Sequence, residues 1–82
     1  MTTVTLYTRE GCHLCDDARG ILIRAQARHL FELVELDIES DERLMGGYLE
    51  RIPVVAIDGV EAFELFVDES ELERMLGRVG IR

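Results

Sequence analysis

Residues 6–15 read LYTREGCHLC, and they place both cysteines of the 82-residue chain between a strand and a helix. The strand-like run covers residues 4–8, and a helix-like run follows at about residues 16–29. A helix start exposes unpaired backbone N–H groups and the positive end of the helix dipole, and both favour a thiolate over a thiol. The pattern therefore predicts a redox centre at Cys12 and Cys15.

The two sulfur atoms have different predicted roles. If Cys12 is the N-cap of the helix, Cys15 falls in the first turn, close enough to form a disulfide with it. The sulfur of Cys12, which is the more accessible of the two, then attacks a substrate disulfide. The sulfur of Cys15, which Cys12 shields, resolves the mixed disulfide that forms. Arg9 and a protonated His13 add positive charge near Cys12, whereas the aspartates after Cys15 oppose a further negative charge. We expect a moderate lowering of the pKa of the Cys12 thiol.

The rest of the chain predicts an α/β domain of order β-α-β-α-β-β-α. A second strand at residues 33–38 follows the first helix, so the first two strands should be parallel. Ser40 is the predicted cap of a short second helix. Strands at residues 52–57 and 60–65 flank Asp58-Gly59, a dipeptide typical of a two-residue hairpin, so the last two strands should be antiparallel.

The final helix is predicted to begin at Asp68, with Glu71 reaching back to form a capping box, and to end at Gly80. In each helix, apolar residues recur at helical spacing and predict the face that packs on the core. These residues are Leu14, Ala18, Ile21, Leu22 and Ala25 in the first helix, Leu44, Met45, Tyr48 and Leu49 in the second, and Leu72, Met75, Leu76 and Val79 in the third.

Composition and net charge limit the number of domains, the partners and the location that we expect for this chain. With 48% hydrophobic residues, the chain can bury one core, and we expect a single domain over residues 1–82. The formal net charge of -8 repels phosphate backbones and anionic lipids, so we expect neither a nucleic-acid nor a membrane partner. The N-terminus lacks the pattern of a signal peptide and the sequence has no apolar run of about 20 residues, which favours a cytoplasmic location. We also expect a monomer.

Two other functions are compatible with the cysteine pair. A single chain offers Cys12, His13 and Cys15 as metal ligands, fewer than the four of a structural zinc site, and His29 lies at the far end of the helix. A dimer that shares an iron–sulfur cluster or a metal would supply four thiolates. The other alternative is a non-catalytic binding module that presents the groove beside Pro53 to a partner protein.

The stretch at residues 6–15, together with RIPVVAIDG at residues 51–59, resembles the glutaredoxin branch of the thioredoxin superfamily. The resemblance covers nearly the whole chain. It implies a thioredoxin-like fold with a four-stranded mixed sheet flanked by helices. It also implies a glutaredoxin-like thiol–disulfide oxidoreductase that acts on disulfide-containing proteins or small thiols. We expect no bound cofactor, with glutathione as a candidate electron donor.

The same resemblance assigns the substrate-binding residues. It implies a cis peptide between Ile52 and Pro53, with Pro53 facing the cysteines and an edge there that receives an extended peptide or glutathione. Arg9 takes the place of the basic residue that often precedes the active site. Asp68 keeps an acidic position of the family, although a role as helix cap also explains it. His13 completes the predicted set.

Two departures from the family bear on the substrate. His13-Leu14 stands where dithiol glutaredoxins have Pro-Tyr. Leu65-Phe66-Val67 stands before Asp68, where glutathione-binding glutaredoxins usually carry a Gly-Gly pair that lets the backbone approach the tripeptide. We therefore expect the bulky side chains to obstruct that end of a glutathione site.

Overall fold

A computed structural model describes the backbone of residues 1–79 and the side chains through residue 77. The helices and strands follow the predicted order β-α-β-α-β-β-α, with one extra turn of 3-10 helix at Ile38–Ser40. The elements are β1 (Thr2–Thr8), α1 (His13–Gln26), β2 (Phe31–Asp37), α2 (Glu42–Tyr48), β3 (Val54–Ile57), β4 (Val60–Glu64) and α3 (Glu69–Val79).

The four strands form one mixed sheet in the order β2-β1-β3-β4. β1 and β2 are parallel along their whole length, from Thr2 opposite Phe31 to Thr8 opposite Asp37, so α1 is the crossover of a βαβ unit. β3 is antiparallel to both β1 and β4. This arrangement confirms the predicted α/β class and the four-stranded mixed sheet.

The β3–β4 turn is the predicted two-residue hairpin. Asp58 and Gly59 both have positive φ, 51° and 85°, as a type I′ turn requires. The turn is also tied to β1, because the Thr3 N–H donates to Asp58 Oδ1 at 2.9 Å and the Asp58 N–H donates to the Thr3 carbonyl at 2.8 Å. This end of the sheet is therefore closed by specific hydrogen bonds.

Apolar side chains form two clusters on opposite faces of the sheet. Val4 and Leu6 of β1 point to one face and Tyr7 to the other, as strand alternation requires. The large cluster joins the sheet to α1 and α3, and its buried members are Val4, Leu6, Ala18, Leu22, Ala25, Phe31, Val55, Ile57, Val67, Leu72 and Leu76. The small cluster buries only Cys15, Ile38 and Ile52, with residues of β1 and α2 packed against it.

Parts of the predictions for the first two helices are wrong. α1 covers His13–Gln26 rather than residues 16–29, and this start agrees with the predicted N-cap at Cys12. The buried residues of α1 follow the spacing of Cys15, so Leu14 is turned outward and 49% exposed. Asp41, not Ser40, caps α2, since its side chain accepts the Arg43 N–H at 2.8 Å.

The 3-10 turn explains the change of cap. The Ser40 hydroxyl is used within that turn, where it donates to the Asp37 carbonyl at 2.6 Å. Leu49, predicted to lie on the apolar face of α2, follows the last residue of the helix and is 39% exposed.

The start of α3 matches the prediction in part. Asp68 caps the helix, with its Oδ1 accepting the Glu71 N–H at 3.1 Å. The Glu71 carboxylate does not reach back to complete a capping box, because it pairs with Arg74 instead. The predicted end at Gly80 and the side chain of Val79 lie outside the described residues. No helix in the described part of the chain has both the length and the apolar character to cross a membrane.

Candidate active site

The turn between β1 and α1 positions Cys12 as the N-cap of the helix. Gly11 enters this turn with a φ of 82°, a left-handed conformation that glycine adopts without steric cost. Cys12 itself is extended, and its Sγ accepts the backbone N–H of Cys15 at 3.1 Å, while its carbonyl accepts the Asp16 N–H at 3.1 Å. The sulfur of Cys12 therefore faces one of the unpaired N–H groups at the start of α1.

The two cysteines form a disulfide, with Cα atoms 5.2 Å apart. Their surroundings differ: Cys12 is half-buried, whereas Cys15 is 0% exposed and lies in the small cluster with Ile38 and Ile52. An outside molecule can therefore approach the sulfur of Cys12 more readily than that of Cys15.

A shallow pocket of about 290 Å³ opens beside Cys12, lined by Arg9, Glu10, Gly11, Cys12 and Ile52. The fold thus brings together Cys12 from the start of α1 and Ile52 from the loop before β3. The peptide between Ile52 and Pro53 is cis, as the family resemblance implies, and Pro53 is fully buried. The Ile52 N–H donates to the Tyr48 carbonyl at 3.1 Å, so this backbone donor is already used within the chain.

The other predicted binding residues lie around the pocket or away from it. Arg9 lines the pocket, but its guanidinium pairs with Glu39 at 3.1 Å. His13 is exposed on the first turn of α1. Asp68 is the cap of α3 and does not line the pocket beside Cys12.

The segment after β4 lies against the Pro53 loop. The Leu65 N–H donates to the carbonyls of Arg51 at 3.0 Å and Pro53 at 2.9 Å. Leu65 has a φ of 72°, a left-handed conformation that favours glycine and costs an ordinary residue about 1 kcal/mol. Leu65 and Phe66 remain 45% and 67% exposed. The residues that replace the glycine pair of the glutaredoxins therefore present bulky apolar side chains next to the loop.

A group of polar residues that the sequence analysis missed borders the small cluster. Tyr48 stacks on Tyr7 with ring centroids 4.3 Å apart, and the Arg51 guanidinium lies 5.3 Å from the centre of the Tyr48 ring. Arg51 also pairs with Glu64 at 2.9 Å and with Glu61. These contacts connect β1, α2, the loop before Ile52, and β4, and no local sequence pattern predicts them.

The same contacts shift the pKa values of the group. Burial, followed by the hydrogen bond to Glu61, raises the pKa of Tyr48 to about 12. The hydrogen bond from Arg51 lowers the pKa of Glu61, and the bonds to Glu64 and Glu61 raise the pKa of Arg51. Arg51 and Glu61 therefore stay charged, and Tyr48 stays neutral, around neutral pH.

The described residues of this single chain do not bring three His, Cys, Asp or Glu side chains together in a way that could hold a metal ion. The two cysteine sulfurs are instead paired with each other.

Comparisons with known proteins agree with this description. The "Glutaredoxin-like protein YDR286C homolog" of Dictyostelium discoideum is 28% identical over 75 residues, covering 84% of this chain and 69% of that protein. The solution structure of protein Ne2328 from Nitrosomonas europaea is 31% identical, with a TM-score of 0.79 and coverage of 92% and 91% of the two chains.

A mutant thioredoxin from Halobacterium salinarum shares the fold, with a TM-score of 0.73 at 15% identity. That structure covers 99% of this chain, while this chain spans 76% of it. The family model described as "Glutaredoxin-like domain (DUF836)" matches residues 3–77. The chain therefore belongs to the glutaredoxin-like domain family and has a thioredoxin-like fold.

Proposed function

We propose that the protein is a thiol–disulfide oxidoreductase in which Cys12 is the nucleophile and Cys15 is the resolving thiol. The observation that supports this most is the unequal placement of a disulfide-bonded pair. Cys12 caps α1 beside an open pocket, while Cys15 is buried behind it. A structural disulfide would need no such pocket and no such difference in access.

In the first step the Cys12 thiolate attacks one sulfur of a substrate disulfide. A bond forms between Cys12 Sγ and that sulfur, the substrate S–S bond breaks, and the second substrate sulfur leaves as a thiolate that takes up a proton. The Cys15 N–H, 3.1 Å from Cys12 Sγ in the disulfide form, and the N-terminal end of α1 stabilise negative charge on Cys12.

In the second step the Cys15 sulfur, after losing its proton, attacks Cys12 Sγ in the mixed disulfide. The bond to the substrate breaks, the remaining substrate sulfur leaves as a thiolate, and the Cys12–Cys15 disulfide forms. Two electrons have then passed from the protein to the substrate. The Cα separation of 5.2 Å lies within the ordinary range for a disulfide, so resolution needs no large movement of the backbone.

The cycle is completed by a dithiol or two monothiols that reduce the Cys12–Cys15 disulfide. Glutathione and a thioredoxin reductase system are the two candidate donors. Rapid reduction of the oxidised protein by only one of them would identify the route.

The test compares serine variants at the two cysteines. We expect wild type to reduce insulin disulfides with dithiothreitol as the final reductant, and Cys12→Ser to lose this catalysis by at least about 1000-fold, because the thiol that remains, Cys15, is buried. Cys15→Ser is the matched control: it keeps the nucleophile, so it should form a mixed disulfide with the substrate that mass spectrometry detects. Full turnover by Cys12→Ser would refute the mechanism. A wild-type protein that reacts with no disulfide would favour a non-catalytic binding module.

A further inference from the structure

The positive charge beside Cys12 is neutralised by the protein itself. Arg9 is the only basic residue among the five that line the pocket, and its guanidinium pairs with Glu39 at 3.1 Å. Glu10, which also lines the pocket, is exposed. Arg9, Glu39 and Glu10 together therefore give this region a net charge of about -1, and a carboxylate on an approaching substrate would have to compete with Glu39 for Arg9.

The second arginine near the site is also paired. Arg51 precedes Ile52, but its guanidinium points to β4, where it pairs with Glu64 at 2.9 Å and with Glu61, and it donates to the Gly47 carbonyl at 3.2 Å. All three nitrogens of this guanidinium are thus used in contacts within the chain. Arg51 is therefore not free to bind an anionic group.

Exposed apolar side chains lie on the segments next to the pocket. Leu14, between the two cysteines, is 49% exposed, and Phe66 is 67% exposed and follows Leu65, whose N–H donates to the Pro53 carbonyl. We call the side chains of Leu14, Leu65 and Phe66 the apolar rim. The whole chain carries a net charge of -8, so the field around this rim attracts cations and repels anions.

We propose that the physiological substrates are disulfides in polypeptide segments with apolar and basic residues next to the cysteine, and that anionic disulfides such as glutathione disulfide are poor substrates. This inference rests on the proposed function. The apolar residues of the substrate segment would pack on the apolar rim, and its basic residues would complement the acidic surface of the protein. The exchange itself is unchanged: Cys12 bonds to the substrate sulfur, and the second substrate sulfur leaves with the electron pair of the broken bond.

The experiment measures the rate at which the reduced protein attacks three small disulfides that differ in charge: cystamine (cationic), 2-hydroxyethyl disulfide (neutral) and 3,3′-dithiodipropionate (anionic). Each rate is divided by that of dithiothreitol with the same compound, which removes differences in intrinsic reactivity. At low ionic strength, we expect this normalised rate to be at least about tenfold higher for cystamine than for 3,3′-dithiodipropionate. The difference should fall to about twofold at 0.5 M salt.

A pair of charge variants locates the effect. At about 0.1 M salt, Glu39→Gln should raise the normalised rate with 3,3′-dithiodipropionate and with glutathione disulfide about two- to threefold, because Arg9 loses its anionic partner. Glu32→Gln is the matched control. Glu32 is exposed and lies near the start of β2, opposite Thr3 and at the far end of the strand from Asp37, so its effect is screened.

The apolar rim is tested with a disulfide-linked peptide that carries leucine and arginine next to its cysteine. Phe66→Ser should lower the ratio of the rate with this peptide to the rate with 2-hydroxyethyl disulfide about fivefold. Leu30→Ser, at an 80% exposed leucine before β2, is the control and should change neither rate.

The outcomes separate the two proposals. Equal normalised rates for cationic and anionic disulfides, or equal effects of the Glu39 and Glu32 variants, would overturn the substrate inference alone. Unreactivity toward every disulfide would refute the oxidoreductase function, and the substrate inference with it.

Discussion

The large cluster and the small cluster lie on opposite faces of the same sheet, and different contacts hold them together. The large cluster has eleven buried apolar residues, from the sheet, α1, α3 and the segment before α3. The small cluster has three, one of which is Cys15, and its border is formed by the Tyr7–Tyr48 stack and the ion pairs of Arg51. The comparison indicates that stability comes mainly from the large cluster, while the small cluster positions the sulfurs and the Ile52 loop.

The largest expected effect on stability comes from removing a buried side chain of the large cluster. Leu72 is 0% exposed in the large cluster, so Leu72→Ala should lower the free energy of unfolding of the oxidised protein by about 3 kcal/mol. Leu14→Ala, in the apolar rim, removes the same atoms from a 49% exposed side chain and should cost less than about 1 kcal/mol. Urea unfolding measures both values, and similar losses would contradict the assignment of stability to the buried residues of the large cluster.

A smaller effect concerns the contacts between α3 and the residues just after α1. Glu73 of α3 binds Arg28 and, at 2.7 Å, His29 Nε2, both just beyond the end of α1. The hydrogen bond from Arg28, and after it the one to His29, lowers the pKa of Glu73 to about 2. Because the folded-state pKa lies below the unfolded one, the stabilisation is present above about pH 5 and is lost as the pH falls toward 2.

The measurement is the difference in urea midpoint between wild type and Glu73→Gln. We expect wild type to be the more stable at pH 6 and the difference to shrink steadily between pH 5 and pH 2.5. Glu32→Gln, which removes a glutamate that makes no ion pair with the described residues, should show no such trend. A difference that stayed constant with pH would show that the two pairs do not contribute to folding.

The large cluster and the element order follow from local sequence patterns. Helical spacing identifies Ala18, Leu22, Leu72 and Leu76, and Asp58-Gly59 identifies the hairpin. The errors occur where neighbouring residues compete for one role. Leu14 lies one residue from Cys15, about 100° around the helix, and only the observed start of α1 decides which of the two is buried.

The candidate site is predicted less completely, because long-range contacts form it. The cysteine spacing and the resemblance around Pro53 locate the sulfurs and the cis peptide. The pairing of Arg9 with Glu39 joins residues 30 positions apart, and the contacts of Arg51 reach across the hairpin. These pairs decide which charges near the site are already matched within the chain, and no local pattern in the sequence indicates them.

The two sulfurs differ in their access to an outside reagent, and alkylation of the reduced protein measures this difference directly. Wild type is treated with a limiting amount of iodoacetamide at pH 7, and peptide mapping locates the label. We expect Cys12, half-buried at the helix start, to be alkylated at least about tenfold faster than Cys15, which is 0% exposed. Equal labelling of the two, or faster labelling of Cys15, would contradict it.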